Sequence, residues 1–230
     1  MNILAIDTAT EACSVGLMLD EQIDGIFELC PQQHSQRILP MIDEILSRNN
    51  ISLADIDLLA YGRGPGSFTG VRIAASTIQG LSLGAGLKVV EISTLGAMAQ
   101  ENFERFGCKH TMALIDARMR EVYTGEFEVQ DNRIAKALES EVVLPPSNLS
   151  DKLSKFKGES SFVGTGFHAY QQELGLQLQS DALQVNYPNA KYMLSLAKWQ
   201  HEQGQNVPPE HVSPVYVRDT VTWKKLPNRE

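Results

Sequence analysis

Metal-ligand spacing is missing from this chain of 230 residues. The histidines are His34, His110, His168, His201 and His211, and no two are spaced to share one helical turn. His201-Glu202-Gln203-Gly204-Gln205 stops one histidine short of the His-Glu-x-x-His zinc pattern. No Cys-x-x-Cys occurs, and no metal site is expected. Cys13, Cys30 and Cys108 are an odd count without paired spacing, which reads as reduced thiols in a cytoplasmic protein. Cys13 has no base that the sequence assigns to it, so a buried small hydrophobe is the better reading. No run reaches the roughly 18 apolar residues of a membrane span. A strand expected from Asn2 leaves no room for a signal peptide. Positive charge is scarce as well: the formal net charge is -8. Nucleic acid is held largely by neutralising phosphates, so this is a poor candidate to grip RNA or DNA by itself. The only basic concentration, Arg218, Lys224, Lys225 and Arg229, reads as a solvated tail.

What is present centres on Tyr61 to Arg72, Tyr-Gly-Arg-Gly-Pro-Gly-Ser-Phe-Thr-Gly-Val-Arg. An apolar run, Ile56 to Tyr61, leads into it, and Ile73 to Leu87 follows without a single charge. The order is strand, glycine-rich turn, helix, with Ser67 or Thr69 available to cap the helix. A P-loop requires Lys then Ser or Thr after its second glycine, and no Lys occurs between Tyr61 and Leu87. The dinucleotide fingerprint fails because Ser67 or Thr69 stands where its third glycine belongs. Pro65 occupies the first glycine position of a nucleophile elbow. A tight strand-to-helix connection is the simplest use of these glycines.

The pattern along the chain is three strands (Met1–Asp7, Cys13–Leu19, Gln22–Cys30), then alternating helix and strand. The helices fall at 33–49, 69–86 and 95–106, and the strands at 56–61 and 88–92. This is an α/β signature with a mixed sheet. Ile3-Leu4-Ala5-Ile6-Asp7 is echoed by Met112-Ala113-Leu114-Ile115-Asp116, each followed by a turn and a return strand. Such an internal duplication predicts two related lobes. Residues 1–106 form the first, completed by about 189–223, and residues 107–188 the second, with 224–230 as a mobile tail. Pro145 to Asn148 is expected as a loop, Ser161 to Gly164 as a strand, 189–202 as a helix and 215–217 as a short extended piece.

Asp7 and Asp116 each end a strand, where a two-lobed ATPase sets a metal and water beside phosphates. The turn there usually carries glycine so that backbone N–H groups face the phosphate. Ala9 takes that place here, and Asp116 is followed by Ala117 and Arg118, so both carboxylates are expected to cap their own turns. In the helix at 69–86, which has no charged residue after Arg72, Val71, Ala74, Ile78, Leu81 and Ala85 share one face that can pack on the sheet. Ile73, Ser76, Gly80, Leu83 and Gly84 lie elsewhere on it, with small residues four apart that admit a second helix. Ile38, Met41, Ile42 and Ile45 give the preceding helix a wide apolar stripe. Together these nine residues are the expected partner interface, formed with a related chain or a second copy.

Ile3 to Gly16, His34 to Pro40, Tyr61 to Arg72, Ile115 to Tyr123 and Pro214 to Arg218 occur in an order and form that resemble the TsaB (YeaZ) family. These are bacterial proteins of tRNA threonylcarbamoyladenosine synthesis. The resemblance implies the fold of actin, sugar kinases and heat-shock ATPases (ASKHA), two ribonuclease H-like lobes with mixed sheets. It also implies a catalytic paralogue, TsaD, as heterodimer partner, and an ATPase, TsaE, that joins the pair. That paralogue holds its metal with His-x-x-x-His. By position Thr94 and Met98 stand in those places here, and neither is a credible ligand for such a metal. The resemblance therefore implies a non-catalytic scaffold with no peptidase activity, no catalytic residue and no cofactor in the isolated chain. Asp7, Thr8, Thr10 and Asp116 are then vestigial phosphate-turn residues. A nucleotide at a subunit boundary stays open, tRNA is met only through the complex, and the chain alone is a homodimer. The alternatives are an active phosphotransferase of the sugar-kinase type and a homodimer without an obligate partner.

Overall fold

Five buried residues, Ile3–Asp7, form β1, and their alternation sets the layers of the first lobe. Leu4 and Ile6 face one way, Ile3 and Ala5 the other. The computed structural model describes residues 1–156, 160–176 and 183–218. β2 (Ala12–Leu19) returns antiparallel to β1, and β3 (Gln22–Leu29) pairs with β2 at the sheet edge. α1 (His34–Arg48) continues through Pro40 and leads to β4 (Leu58–Gly64), which lies parallel to β1 on its other side. α2 (Phe68–Ala85) crosses to β5 (Lys88–Ser93), parallel to β4. The strand order is β3-β2-β1-β4-β5. Ile38, Met41 and Ile45 of α1 and Ala74 and Ile78 of α2 pack on Leu4 and Ile6. Ser67 caps α2 by accepting from Gly70 N, and Gly86 closes it at φ +67°.

α3 (Thr94–Phe106) passes to the second sheet, where Leu95, Met98 and Ala99 meet Ala113, Ile115 and Phe127. There β6 (His110–Asp116) and β7 (Val122–Val129) form an antiparallel pair. β8 (Ala135–Ala137) and β9 (Val142–Leu144) pair with separate stretches of β7. After α4 (Ser150–Lys155), β10 (Ser160–Val163) adds parallel to β6, and α5 (Thr165–Ala169) follows. α6 (Met193–Glu202) returns to the first sheet and covers Ile3, Ala5, Leu58, Ala60 and Val90.

The five-residue echo is a repeat of topology. β1 and β6 each end in an aspartate, each has an antiparallel neighbour on one side and a parallel neighbour on the other. The two mixed sheets with their helices are thus two lobes of related topology.

Several local expectations are corrected. The loop at Pro145 is a single helical turn, Pro146–Leu149, running into α4, because Leu149 and Leu153 anchor in the second core. The helix expected from Asn189 begins as a tight turn, Ala190–Tyr192, whose Lys191 N–H is accepted by the Asn189 side chain, and turns α-helical only at Met193. β4 runs on past Tyr61 to Gly64 along β5, with a register shift between Gly62 and Gly64. Residues 215–217 join no sheet. Lys224, Lys225, Arg229 and the 224–230 tail lie outside the described residues. Among the described residues no helix is long and apolar enough to cross a membrane.

Candidate functional site

The turn after β1 is covered by the glycine-rich stretch of its own chain. Ser67 N donates to Ala9 O at 2.7 Å, and Thr8 Oγ1 donates to Gly70 O at 2.7 Å. A Cβ on Gly70 would fall 2.0 Å from Thr8 O, and one on Gly62 would fall 1.9 Å from Asp7 Oδ2. Two of the glycines therefore let the start of α2 and the end of β4 close onto the Asp7–Thr10 turn. In a phosphate-binding turn such backbone groups point at a ligand. Here the Ala9 carbonyl and the Thr8 hydroxyl bind the glycine-rich stretch, and Thr10 Oγ1 accepts from Ala12 N at 3.3 Å.

Asp7 is buried, and its Oδ1 accepts from Ala9 N at 2.8 Å. Thr94 Oγ1 sits 3.5 Å from Oδ2 and faces this carboxyl. Burial pushes the Asp7 pKa up to about 7, against the opposing pull of the Ala9 and Thr94 bonds. No Lys or Arg side chain pairs with it among the described residues. Met98 is buried in the second core. Burial, with Cys30 adding to it, also raises the Cys13 pKa and keeps that thiol protonated.

Asp116 has separate partners. Its Oδ1 accepts from Arg118 N at 2.9 Å and from Tyr170 Oη at 2.9 Å, and its Oδ2 pairs with Arg118 at 3.1 Å. The structure does not bring Asp7 and Asp116 together on a common partner among the described residues. Both carboxylates cap their own turns.

Three bridges between the lobes have no sequence signature. Glu141 accepts from Ser93 Oγ and lies 3.6 Å from Arg63, and burial raises its pKa. Arg118 pairs with Glu11 at 2.7 Å. The segment Ser213–Arg218 straps the lobes: Val215 N donates to Arg63 O at 2.8 Å, Arg72 Nε donates to Tyr216 Oη at 2.7 Å, and Arg218 donates to Ala117 O at 3.2 Å. The extended piece at 215–217 is this strap, and Arg218, expected in a solvated tail, is held by Ala117 and Glu121 instead.

The expected interface residues divide. Ile38, Met41, Ile42 and Ile45 are buried in the first core, which corrects their assignment to a partner surface. An apolar helical stripe shows that something covers it, and here the chain's own sheet does. On α2, Val71, Ala74 and Ile78 are buried, while Ala85 is exposed because the last turn runs beyond the sheet. Ile73 is partly buried, and Ser76, Gly80, Leu83 and Gly84 are exposed. A Cβ on Gly80 or Gly84 would meet nothing. Leu83 is 67%, Leu39 of α1 55% and Phe68 49% exposed. A groove of about 430 Å³ runs between the two helices, lined by Ser35, Leu39, Phe68, Arg72, Ile73 and Ser76 among others.

Comparison with known proteins gives one answer. The family model for TsaD, tRNA N6-adenosine threonylcarbamoyltransferase, matches residues 21–224. The chain is 48% identical over 233 aligned residues to the tRNA threonylcarbamoyladenosine biosynthesis protein TsaB of Escherichia coli K12, with 100% of each chain covered. Identity to the TsaB of Haemophilus influenzae is 43%, over 100% of this chain and 99% of that one. The solved structure of YeaZ from Pseudomonas aeruginosa superposes with a TM-score of 0.83 at 36% identity, over 94% of this chain and 99% of that one. With its duplicated lobes and its turn closed by the glycine-rich stretch, this chain belongs to the TsaB (YeaZ) family of tRNA threonylcarbamoyladenosine biosynthesis proteins.

Proposed function

We propose that this chain is a non-catalytic scaffold and activator of tRNA threonylcarbamoyladenosine formation. It pairs with and stabilises the catalytic paralogue TsaD and allows the ATPase TsaE to join. The observation that carries this reading is the closed Asp7–Thr10 turn. The Ala9 carbonyl and the Thr8 hydroxyl are bonded to the start of α2, the Ala9 N–H is taken by the Asp7 carboxyl, and that carboxyl also faces Thr94. The turn is packed against its own chain at Gly62 and Gly70, in keeping with a scaffold.

The outer face of α2 is the partner surface of this reading. Leu83, Ile73 and the flat stretch at Ser76, Gly80 and Gly84 can receive a helix of a related lobe, and Leu39 and Phe68 extend the apolar area. The same face serves a homodimer when the paralogue is absent. Within the chain, residues 1–106 with the returning segment near 189–223 act as one lobe and 107–188 as the other, a division supported by the packing of α6 on the first sheet. tRNA is met through the complex, in the cytoplasm.

Sedimentation tests the reading. The chain and the paralogue, mixed, should form a heterodimer at the expense of any homodimer. Gly80→Arg should abolish both while leaving the monomer folded, because a side chain at Gly80 meets no atom of its own chain. Normal pairing by this variant would move the interface elsewhere. Magnesium-dependent phosphate release by the isolated chain, lost in Asp7→Ala, would favour the phosphotransferase alternative instead.

A further inference from the structure

Among the described residues, Arg72 is the one charged side chain that lines the groove between α1 and α2. Its guanidinium is held from two sides. Cζ lies over the Phe68 ring, 3.4 Å from the centroid, and 5.4 Å from the centroid of Tyr216. Nε donates to Tyr216 Oη at 2.7 Å. The two rings, 5.9 Å apart, come from the glycine-rich stretch and from the Ser213–Arg218 strap, and together they cradle the cation. Nε is thus spent within the chain. No carboxylate among the described residues pairs with the outer N–H groups. Those groups form a planar fork that matches a carboxylate in two parallel hydrogen bonds.

A partner that closes this groove takes the charge out of water. An unpaired buried guanidinium is costly, so the partner must bring the counter-charge. A second copy cannot bring it on the same helix. A two-fold contact sets the same patch against itself. α2 has no Asp or Glu among its 18 residues, and the only charge it adds is another Arg72. The exposed carboxylates of α1, Asp43 and Glu44, are outside the groove lining.

We propose that Arg72 sets the choice of partner: it receives a carboxylate on a helix of the catalytic paralogue TsaD, and so favours the heterodimer over self-pairing. The inference rests on the scaffold reading and on its α2 surface. The net charge of -8 does not oppose it, because exposed charges farther than about 8 Å are screened at physiological salt and the groove lining itself holds only a cation. The cradle orders the guanidinium before docking, which lowers the entropy lost on binding.

Sedimentation of Arg72→Gln and Arg72→Glu, each alone and mixed with TsaD, tests the assignment. Arg72 is exposed and holds no ion pair within the described residues, so both variants should melt close to the wild type. Arg72→Gln should weaken TsaD pairing roughly tenfold or more, the scale for truncating one member of a charge pair inside an interface, and Arg72→Glu should weaken it further. Self-pairing should be no weaker in either, since an unmatched cation has left the contact. Replacing the Asp and Glu residues of TsaD by Lys one at a time should restore pairing with Arg72→Glu at one position. TsaD pairing that is equal for the wild type and Arg72→Gln would overturn the proposal, as would a Lys series with no restoring member. An equal loss of self-pairing would overturn it in favour of a carboxylate of a second copy. A loss seen only in the presence of ATP would overturn it in favour of a phosphate contact. Gly80→Arg keeps the two readings apart: normal pairing by that variant removes the α2 surface itself, whereas its failure to pair beside a normal Arg72→Gln removes only the role of Arg72.

Discussion

At Asp7 the cost of burial makes stability depend on pH in a defined direction. Its pKa rises from 3.8 to about 7 on folding, chiefly through desolvation. Between those values the folded state holds a proton that the unfolded state has released. Stability is therefore full at low pH and falls as pH rises through that window, by roughly 4 kcal/mol in all at 1.36 kcal/mol per unit. Asp7→Asn keeps the acceptor for Ala9 N and cannot ionise. Its urea midpoint should match the wild type near pH 4 and exceed it increasingly up to pH 8; parallel curves would show that Asp7 is not sealed from water. Gly62 belongs to the same contact, since its Cβ would overlap Asp7 Oδ2. Gly62→Ala should cost about 1–3 kcal/mol, the range for overpacking. The cost should shrink when combined with Asp7→Ala, where the clash has been removed; additive losses in the double-mutant cycle would place the strain elsewhere.

Among the elements, α2 carries the partner hypothesis, and Gly80 separates its two demands. An exposed mid-helix glycine weakens a helix by about 1 kcal/mol relative to alanine. Gly80→Ala should thus raise the melting temperature of the isolated chain while weakening pairing, and calorimetry with sedimentation reads both. A variant that gains stability and pairs more tightly would contradict the close helix approach. The elements most legible in the sequence were the central ones. Ile3–Asp7 and Leu58–Tyr61 are apolar runs, and His34–Arg48 and Phe68–Ala85 have helical period with a serine cap on the second. β8 and β9, three residues each, pair with β7 only through tertiary context and carry no pattern of their own. The stripe Ile38–Ile45 was legible as apolar, but a stripe does not name what covers it. The closure of Gly62 and Gly70 onto Asp7 and Thr8 joins residues some sixty positions apart, and nothing local in either segment encodes it.

At the scale of the whole molecule, the proposed function rests on shape rather than on chemistry. Two lobes of related topology are tied to each other by Glu141 with Arg63 and Ser93, Arg118 with Glu11, and the Ser213–Arg218 strap. These bridges oppose relative movement of the lobes, in keeping with the scaffold reading. The overall charge of -8 agrees, because it leaves the grip on tRNA to another subunit. The most direct test of this account is threonylcarbamoylation of tRNA by TsaD and TsaE with and without this chain, using Gly80→Arg as the unpaired control. The account predicts strong modification with the wild-type chain and, with Gly80→Arg, only the level seen when the chain is left out. Equal modification in all three conditions would contradict it.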